Sequence, residues 1–112
     1  MKAIFVELPA FARYRADYLS DDAYRTLQVE LMSHPTKGDV IEGTGGLRKL
    51  RFADSQRSKG KRGGLRIIYY WQVSAYRFLL FTLYDKDEAT NLTAKEKALL
   101  KQMLNHELEA RE

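Results

Sequence analysis

The chain contains no cysteine, two histidines, two prolines and one tryptophan among its 112 residues. Without cysteine it forms neither a disulfide nor a thiolate metal site. The two histidines stand far apart in sequence, His34 beside a helix-ending proline and His106 close to the C-terminus. No His/Cys/acid cluster therefore has metal-ligand spacing, and the serines have no evident histidine partner for nucleophilic catalysis. Neither a metal nor an organic cofactor is expected. Long apolar runs are also missing: the longest, around residues 78–83, is the length of a strand and far short of a bilayer span. The apolar run at the N-terminus is too short, and too quickly charged, for a signal peptide. A cytoplasmic protein with no membrane partner is the expectation.

What is present is enough for one folded unit. Hydrophobic residues make up 45% of the chain and aromatics 12%, a composition that builds a core rather than a disordered chain. Residues 1–112 are read as a single domain. Charge is unevenly spread. Eight of the nineteen Lys and Arg residues lie between Arg48 and Arg66 with Asp54 the one acid among them, so that stretch carries +7 while the whole chain carries +4. A near-neutral domain thus bears one concentrated basic feature. Counterion release makes such a patch a binding surface for a phosphodiester backbone.

The apolar spacing gives a β-α-α-β-β-β-α order. Residues 2–7 read as a short strand, and Pro9 suits the first turn of a helix in which Phe11, Tyr14 and Tyr18 repeat with helical period. Ser20 caps a second helix with Asp21 and Asp22 at its positive end; Tyr24, Leu27 and Leu31 form its stripe, and His34-Pro35 ends it. Residues 37–46 form a glycine-punctuated connection with one short extended piece. Residues 47–52 alternate as a strand, with Arg48, Leu50 and Phe52 on one face and Leu47, Lys49 and Arg51 on the other. A basic loop, residues 53–64, leads to two strongly β-prone segments, 65–73 and 76–84, joined near Ser74-Ala75. Thr93 to Glu96 matches a capping box, after which Leu99, Leu100, Met103, Leu104 and Leu108 trace a helical stripe. The fold class is α+β with a mainly antiparallel sheet.

The chemistry these residues offer is that of cations. RNA carries its own nucleophile in the 2′-OH, so strand scission needs a base for that proton, positive charge on the phosphorane and an acid for the departing 5′-oxygen. If residues 47–52 and 65–73 pair as a hairpin, Lys49, Arg51 and Arg66 converge in one groove. Arg48, Arg57, Lys59, Lys61 and Arg62 then bind phosphate without taking part in bond breaking. Tyr84 and Lys86, at the end of the last strand, reach back over the sheet. Tyr69, Tyr70, Trp71 and Tyr84 are candidates for stacking on bases.

The motifs GGLRKLRF, GLRIIYYW and FLLFTLYDKDEATNLT, in this order and followed by an amphipathic helix, resemble the HigB branch of the RelE/ParE toxin superfamily. The resemblance covers residues 45–103 at motif level, and the preceding strand and helix pair fit the same topology. It implies a RelE-like, microbial-ribonuclease-type fold with two N-terminal helices and one C-terminal helix. It also implies a type II toxin that cleaves mRNA in the A site of the 70S ribosome and is neutralised by a HigA-type helix-turn-helix antitoxin. Operator DNA would be met only through that antitoxin. Carried across position by position, the family's sheet cations fall on Lys49, Arg51 and Arg66 and its C-terminal cation on Lys86. Leu92 stands near the place of the family's catalytic tyrosine; Tyr84 is the substitute this chain offers, and Asp87 or Glu88 would orient Lys86. The general base is not assigned.

Two other functions share these features. A ParE-type toxin inhibits DNA gyrase without nuclease chemistry on the same fold, and it would tolerate substitution of Lys49 and Arg66. A non-catalytic module would use the basic loop to hold ribosomal RNA.

Overall fold

Ser20 starts the second of two helices as its residue type requires, its Oγ accepting from the Ala23 N–H at 3.1 Å. Asp21 and Asp22 occupy the first turn, where the helix dipole favours negative charge. The computed structural model describes residues 2–53, 64–86 and 92–111. Its elements are β1 (Ile4–Glu7), α1 (Pro9–Tyr18), α2 (Asp21–Ser33), β2 (Asp39–Val40), β3 (Arg48–Phe52), β4 (Leu65–Gln72), a 3-10 turn (Val73–Ala75), β5 (Arg77–Asp85) and α3 (Ala94–Ala110). The strands form one sheet in the order β1-β5-β4-β3-β2. β1 runs parallel to β5 and the other pairs are antiparallel. The basic loop cations Arg57, Lys59, Lys61 and Arg62, with Asp87 and Glu88, lie outside the described residues.

Each face of the sheet buries its own cluster. On one face Leu50, Phe52, Leu65, Ile67, Tyr69 and Phe78 pack with Phe11 of α1 and Leu27 and Leu31 of α2. On the other, Leu47, Ile68, Leu79 and Phe81 pack with Leu104 of α3. Removing one fully buried ring such as Phe11 would cost about 3–5 kcal/mol.

The C-terminal stripe is narrower than its apolar residues suggest. Leu100, Leu104 and Leu108 meet the sheet-side cluster, whereas Leu99 is 57% and Met103 40% exposed. Leu99 sits about 100° round the helix from Leu100, so a flat sheet reaches only one of the two rows. Tyr14 is likewise on the surface, about 60° round α1 from Phe11, with the Arg13 guanidinium over its ring.

A register shift between Ile68 and Tyr69 of β4 bulges β5. Tyr69 pairs with Leu80 while Ile68 pairs with Thr82, leaving Phe81 between them. Phe81 belongs to the α3-side cluster and Leu83, two residues on, to the opposite one. Strict alternation would have kept them on one face. The extra residue re-phases the end of β5, and Tyr84 arrives on the α3 side.

Candidate functional site

That re-phasing completes a row across three strands. Arg51 of β3 stands opposite Arg66 of β4, and Arg66 stands opposite Tyr84 of β5. Neighbouring strands lie about 4.8 Å apart, so two guanidinium groups and a phenol leave the backbone within roughly 10 Å. Lys49 lies two residues along β3 from Arg51, opposite Ile68, and faces the same way. The expected convergence of Lys49, Arg51 and Arg66 is thus present, and Tyr84 belongs with them. Lys86 follows at the end of β5, its side chain exposed and its backbone N–H donating to the Gly64 carbonyl at 2.7 Å.

Tyr84 is half-buried against the α3-side cluster. Burial raises its phenol above the ordinary value, the Arg66 charge opposes that, and the Glu96 charge adds to it. A phenol titrates near 10 when unperturbed, so Tyr84 holds its proton at neutral pH and is equipped to donate it. Glu96 is itself fixed by the capping box: its side chain accepts from the Thr93 N–H at 2.9 Å and its N–H donates to Thr93 Oγ1 at 3.1 Å. The Thr93 backbone N–H first, and the Thr93 hydroxyl after it, hold the exposed Glu96 carboxyl below its usual range.

Beside Lys49 and Arg51 runs a groove of about 360 Å³ between the β2–β3 edge and the start of α3. Asp39 and Glu42 line its outer wall, Leu92 and Lys97 its helix side. Leu92, near the expected place of a catalytic tyrosine, is here an apolar wall packed on the α3-side cluster. The groove's shape depends on the seven-residue turn, residues 41–47, that joins β2 to β3. Thr44 pins it, donating to the Ile41 carbonyl at 2.6 Å and accepting from the Leu47 N–H at 3.2 Å.

Arg48 is not brought to this site. It lies on the opposite face of β3, where its Nη1 donates to the Gly38 carbonyl at 2.7 Å and the Thr36 carbonyl at 3.2 Å. It ties down the turn that follows α2. Tyr69, a candidate for base stacking, is fully buried and braces the same turn. Its hydroxyl accepts from the Gly38 N–H at 3.0 Å and donates to the Pro35 carbonyl at 2.8 Å. Trp71 is stacked on Phe78 with ring centroids 4.4 Å apart. Both rings serve packing.

Two lysines of α3 were not singled out from the sequence. A second groove adjoins the first and shares Lys97 with it, adding Lys101, Gln102 and Asn105. Gly43 and Gly45 hold positive φ of +83° and +82°, and a Cβ there would lie 3.7 Å from Lys97 Cδ and 3.6 Å from Lys101 Cγ respectively. The aliphatic stems rest on the glycine turn while the ammonium heads stay in water. The signal was the glycine spacing of GTGG, which reads locally as a turn and says nothing of a distant helix.

The arrangement is that of an α+β protein with the RelE-like fold: a five-stranded, mostly antiparallel sheet carrying a cationic row, two helices on one face and one on the other. The structure is similar to that of the E. coli toxin RelE, solved as a double arginine-to-alanine variant in the free state, with a TM-score of 0.52 and 15% sequence identity. The match covers 88% of this chain and 96% of that one. At this identity the likeness is one of fold. No family model matches the sequence. No helix among the described residues is long and apolar enough to cross a membrane.

Proposed function

We propose that this chain is the toxin of a type II toxin–antitoxin pair, of the HigB branch, and acts as a ribosome-dependent endoribonuclease. The observation that carries the reading is the Arg51–Arg66–Tyr84 row with Lys49 beside it. The 2′-OH of RNA gives up its proton to solvent water and its oxygen attacks the adjacent phosphorus, closing a 2′,3′-cyclic phosphate as the bond to the 5′-oxygen breaks. Lys49, Arg51 and Arg66 neutralise the charge that grows on the non-bridging oxygens. Tyr84, neutral and half-buried, passes its proton to the departing 5′-oxygen. Lys86 and the cations of the basic loop hold the flanking phosphates. Among the described residues no histidine stands with the row, since His34 follows α2 and His106 is exposed on α3. Positioning of the message by the ribosome therefore supplies the remainder of the rate. The partners of this reading are the 70S ribosome, mRNA and a HigA-type antitoxin in the cytoplasm.

Primer extension on a message loaded on translating ribosomes tests it, with wild type, Arg66→Ala and a ribosome-free control. New cuts in codon register that need both the ribosome and Arg66 are expected. Toxic wild-type protein that makes no cuts would overturn the nuclease reading, and DNA gyrase would be the next target to assay.

A further inference from the structure

The groove beside the cationic row mixes charges in a way that phosphate binding alone does not explain. Asp39 of β2 stands directly opposite Lys49 of β3, and side chains of such a pair leave the same face of the sheet. Asp39 and Glu42 line the same groove as Lys49, Arg51 and Lys97. A pure phosphate channel is weakened by carboxylates at its lip, because they repel the anion it binds. Asp39 offsets the charge of Lys49 across the ladder, and its carboxylate also accepts from any hydrogen-bond donors a ligand brings into the groove. In a nucleotide the richest donors sit on the base, one sugar away from the phosphate.

The dimensions fit a single nucleotide. A volume of about 360 Å³ is near the small end for ligand pockets. Ile41 and Leu92 supply apolar surface in the same groove, against which the face of an unstacked base can lie. Single-stranded RNA is read in this manner, by splaying a base out and hydrogen-bonding its Watson–Crick edge. A carboxylate accepts only, and the bases differ in what they offer it. Guanine presents two parallel donors, N1–H and the N2 amino group, which one carboxylate accepts together. Adenine and cytosine present a single amino group on that edge, and uracil a single N3–H.

We propose that Asp39, with Glu42 beside it, is the base-reading element of this groove and selects guanine in the nucleotide whose phosphate rests on Lys49 and Arg51. The inference rests on the ribonuclease reading for its biological meaning, and the binding it claims is measurable without cleavage. Asp39 is exposed on a two-residue edge strand, so the isosteric Asp39→Asn leaves the core untouched.

Two measurements separate the outcomes. The first is binding of the four nucleoside 3′-monophosphates to the purified protein, followed by NMR titration. Guanosine 3′-monophosphate is expected to bind more tightly than the other three by roughly 5- to 150-fold, the discrimination of a good bidentate base contact. Asp39→Asn is expected to erase that advantage, while loss of its negative charge beside the phosphate tightens the other three by a small and similar factor. Equal binding of all four by the wild type overturns the proposal. So does a uniform gain for all four in Asp39→Asn, which would make Asp39 a mere screen of the cations.

The second is cleavage mapped on ribosome-loaded messages that differ only in the base at one position of the cut codon. A guanine preference that Asp39→Asn flattens supports the assignment. Cutting with no base preference leaves the nuclease standing and removes the base-reading role. Selective guanosine 3′-monophosphate binding without any cutting keeps the pocket and removes the nuclease.

Discussion

Arg51 and Arg66 face each other directly across the β3–β4 ladder, a like-charge pair at a position where sheets favour opposite charges. Such a pairing is unfavourable by about 0.2–1 kcal/mol, and the fold carries it at the candidate site. Arg51→Gln should therefore raise the unfolding free energy by about that amount at low salt, with a smaller gain at high salt as the repulsion is screened. Cleavage of ribosome-loaded message should fall roughly 100-fold or more, the scale for losing one donor to a developing oxyanion. Urea denaturation at two salt concentrations, beside primer extension, reads both effects. A variant that is less stable at low salt would show that the pair is not repulsive.

Tyr84 has a different signature, because its role depends on keeping a proton. Tyr84→Phe should preserve the packing of the ring against the α3-side cluster and lower cleavage by roughly 10²- to 10⁴-fold. Burial holds the wild-type phenol above its ordinary value. The donor form therefore persists across the whole neutral range, and no decline in rate traceable to it should occur below about pH 10. A wild-type profile falling near pH 8 and absent in Tyr84→Phe would contradict this, since the titrating phenol would then lie below its ordinary value.

How the row was legible differs from residue to residue. Lys49, Arg51 and Arg66 could be placed together because alternation and a hairpin loop are local signals. The helix starts were equally plain: Ser20 and the Thr93–Glu96 capping box make the hydrogen bonds their residue types promise. Tyr84 could be offered as a site residue, but its side of the sheet depends on the bulge beside Ile68. Nothing in FLLFTLY marks which residue is extra, since five of the seven are apolar on either phase. Arg48, which the alternation of residues 47–52 already turns away from Lys49 and Arg51, shows the limit of counting charge along the chain. Its charge belongs to the basic cluster in sequence, yet alternation turns it to the other face, where the carbonyls of residues 36 and 38 take it. Charge clustering along a strand overstates charge clustering in space by up to a factor of two.

The buried tyrosines predict a sensitivity to alkali. Burial raises the Tyr24 phenol far above its usual value, and its hydrogen bond to Glu7 adds to that rise. Burial also raises Tyr69. A folded-state pKa above the unfolded one means that the folded protein binds the proton more tightly. The stabilisation is complete below the unfolded value of about 10 and is lost as pH rises toward the folded one. Thermal melts should fall steadily above about pH 10, and less steeply in Tyr24→Phe. Tyr69→Phe should behave differently at neutral pH, because it strands the buried Gly38 N–H and costs about 1–3 kcal/mol there. Equal neutral-pH stability of that variant would mean the bridge between residues 35 and 38 is dispensable.

Lys97 and Lys101 extend the cationic surface from the sheet onto α3, and their test is one of salt rather than chemistry. Each stem rests on a glycine of positive φ, so the two ammonium groups are directed outward along adjoining grooves. If nucleic-acid backbone follows that path, each lysine releases about one counterion on binding. Replacing both with glutamine should then lower the slope of log affinity against log salt by roughly 1 per lysine. Cleavage by the variant at saturating ribosome concentration should stay near the wild-type rate, since neither group belongs to the Arg51–Arg66–Tyr84 row. Gly45→Ala offers an independent check, because it disturbs the platform under Lys101 without removing a charge. Its added Cβ has ordinary contact distance to the lysine stem, but the left-handed backbone opposes it by about 1 kcal/mol. A weaker affinity with an unchanged slope is expected for Gly45→Ala, and a reduced slope for the lysine pair. An unchanged slope for the lysine pair would place the backbone elsewhere on the surface.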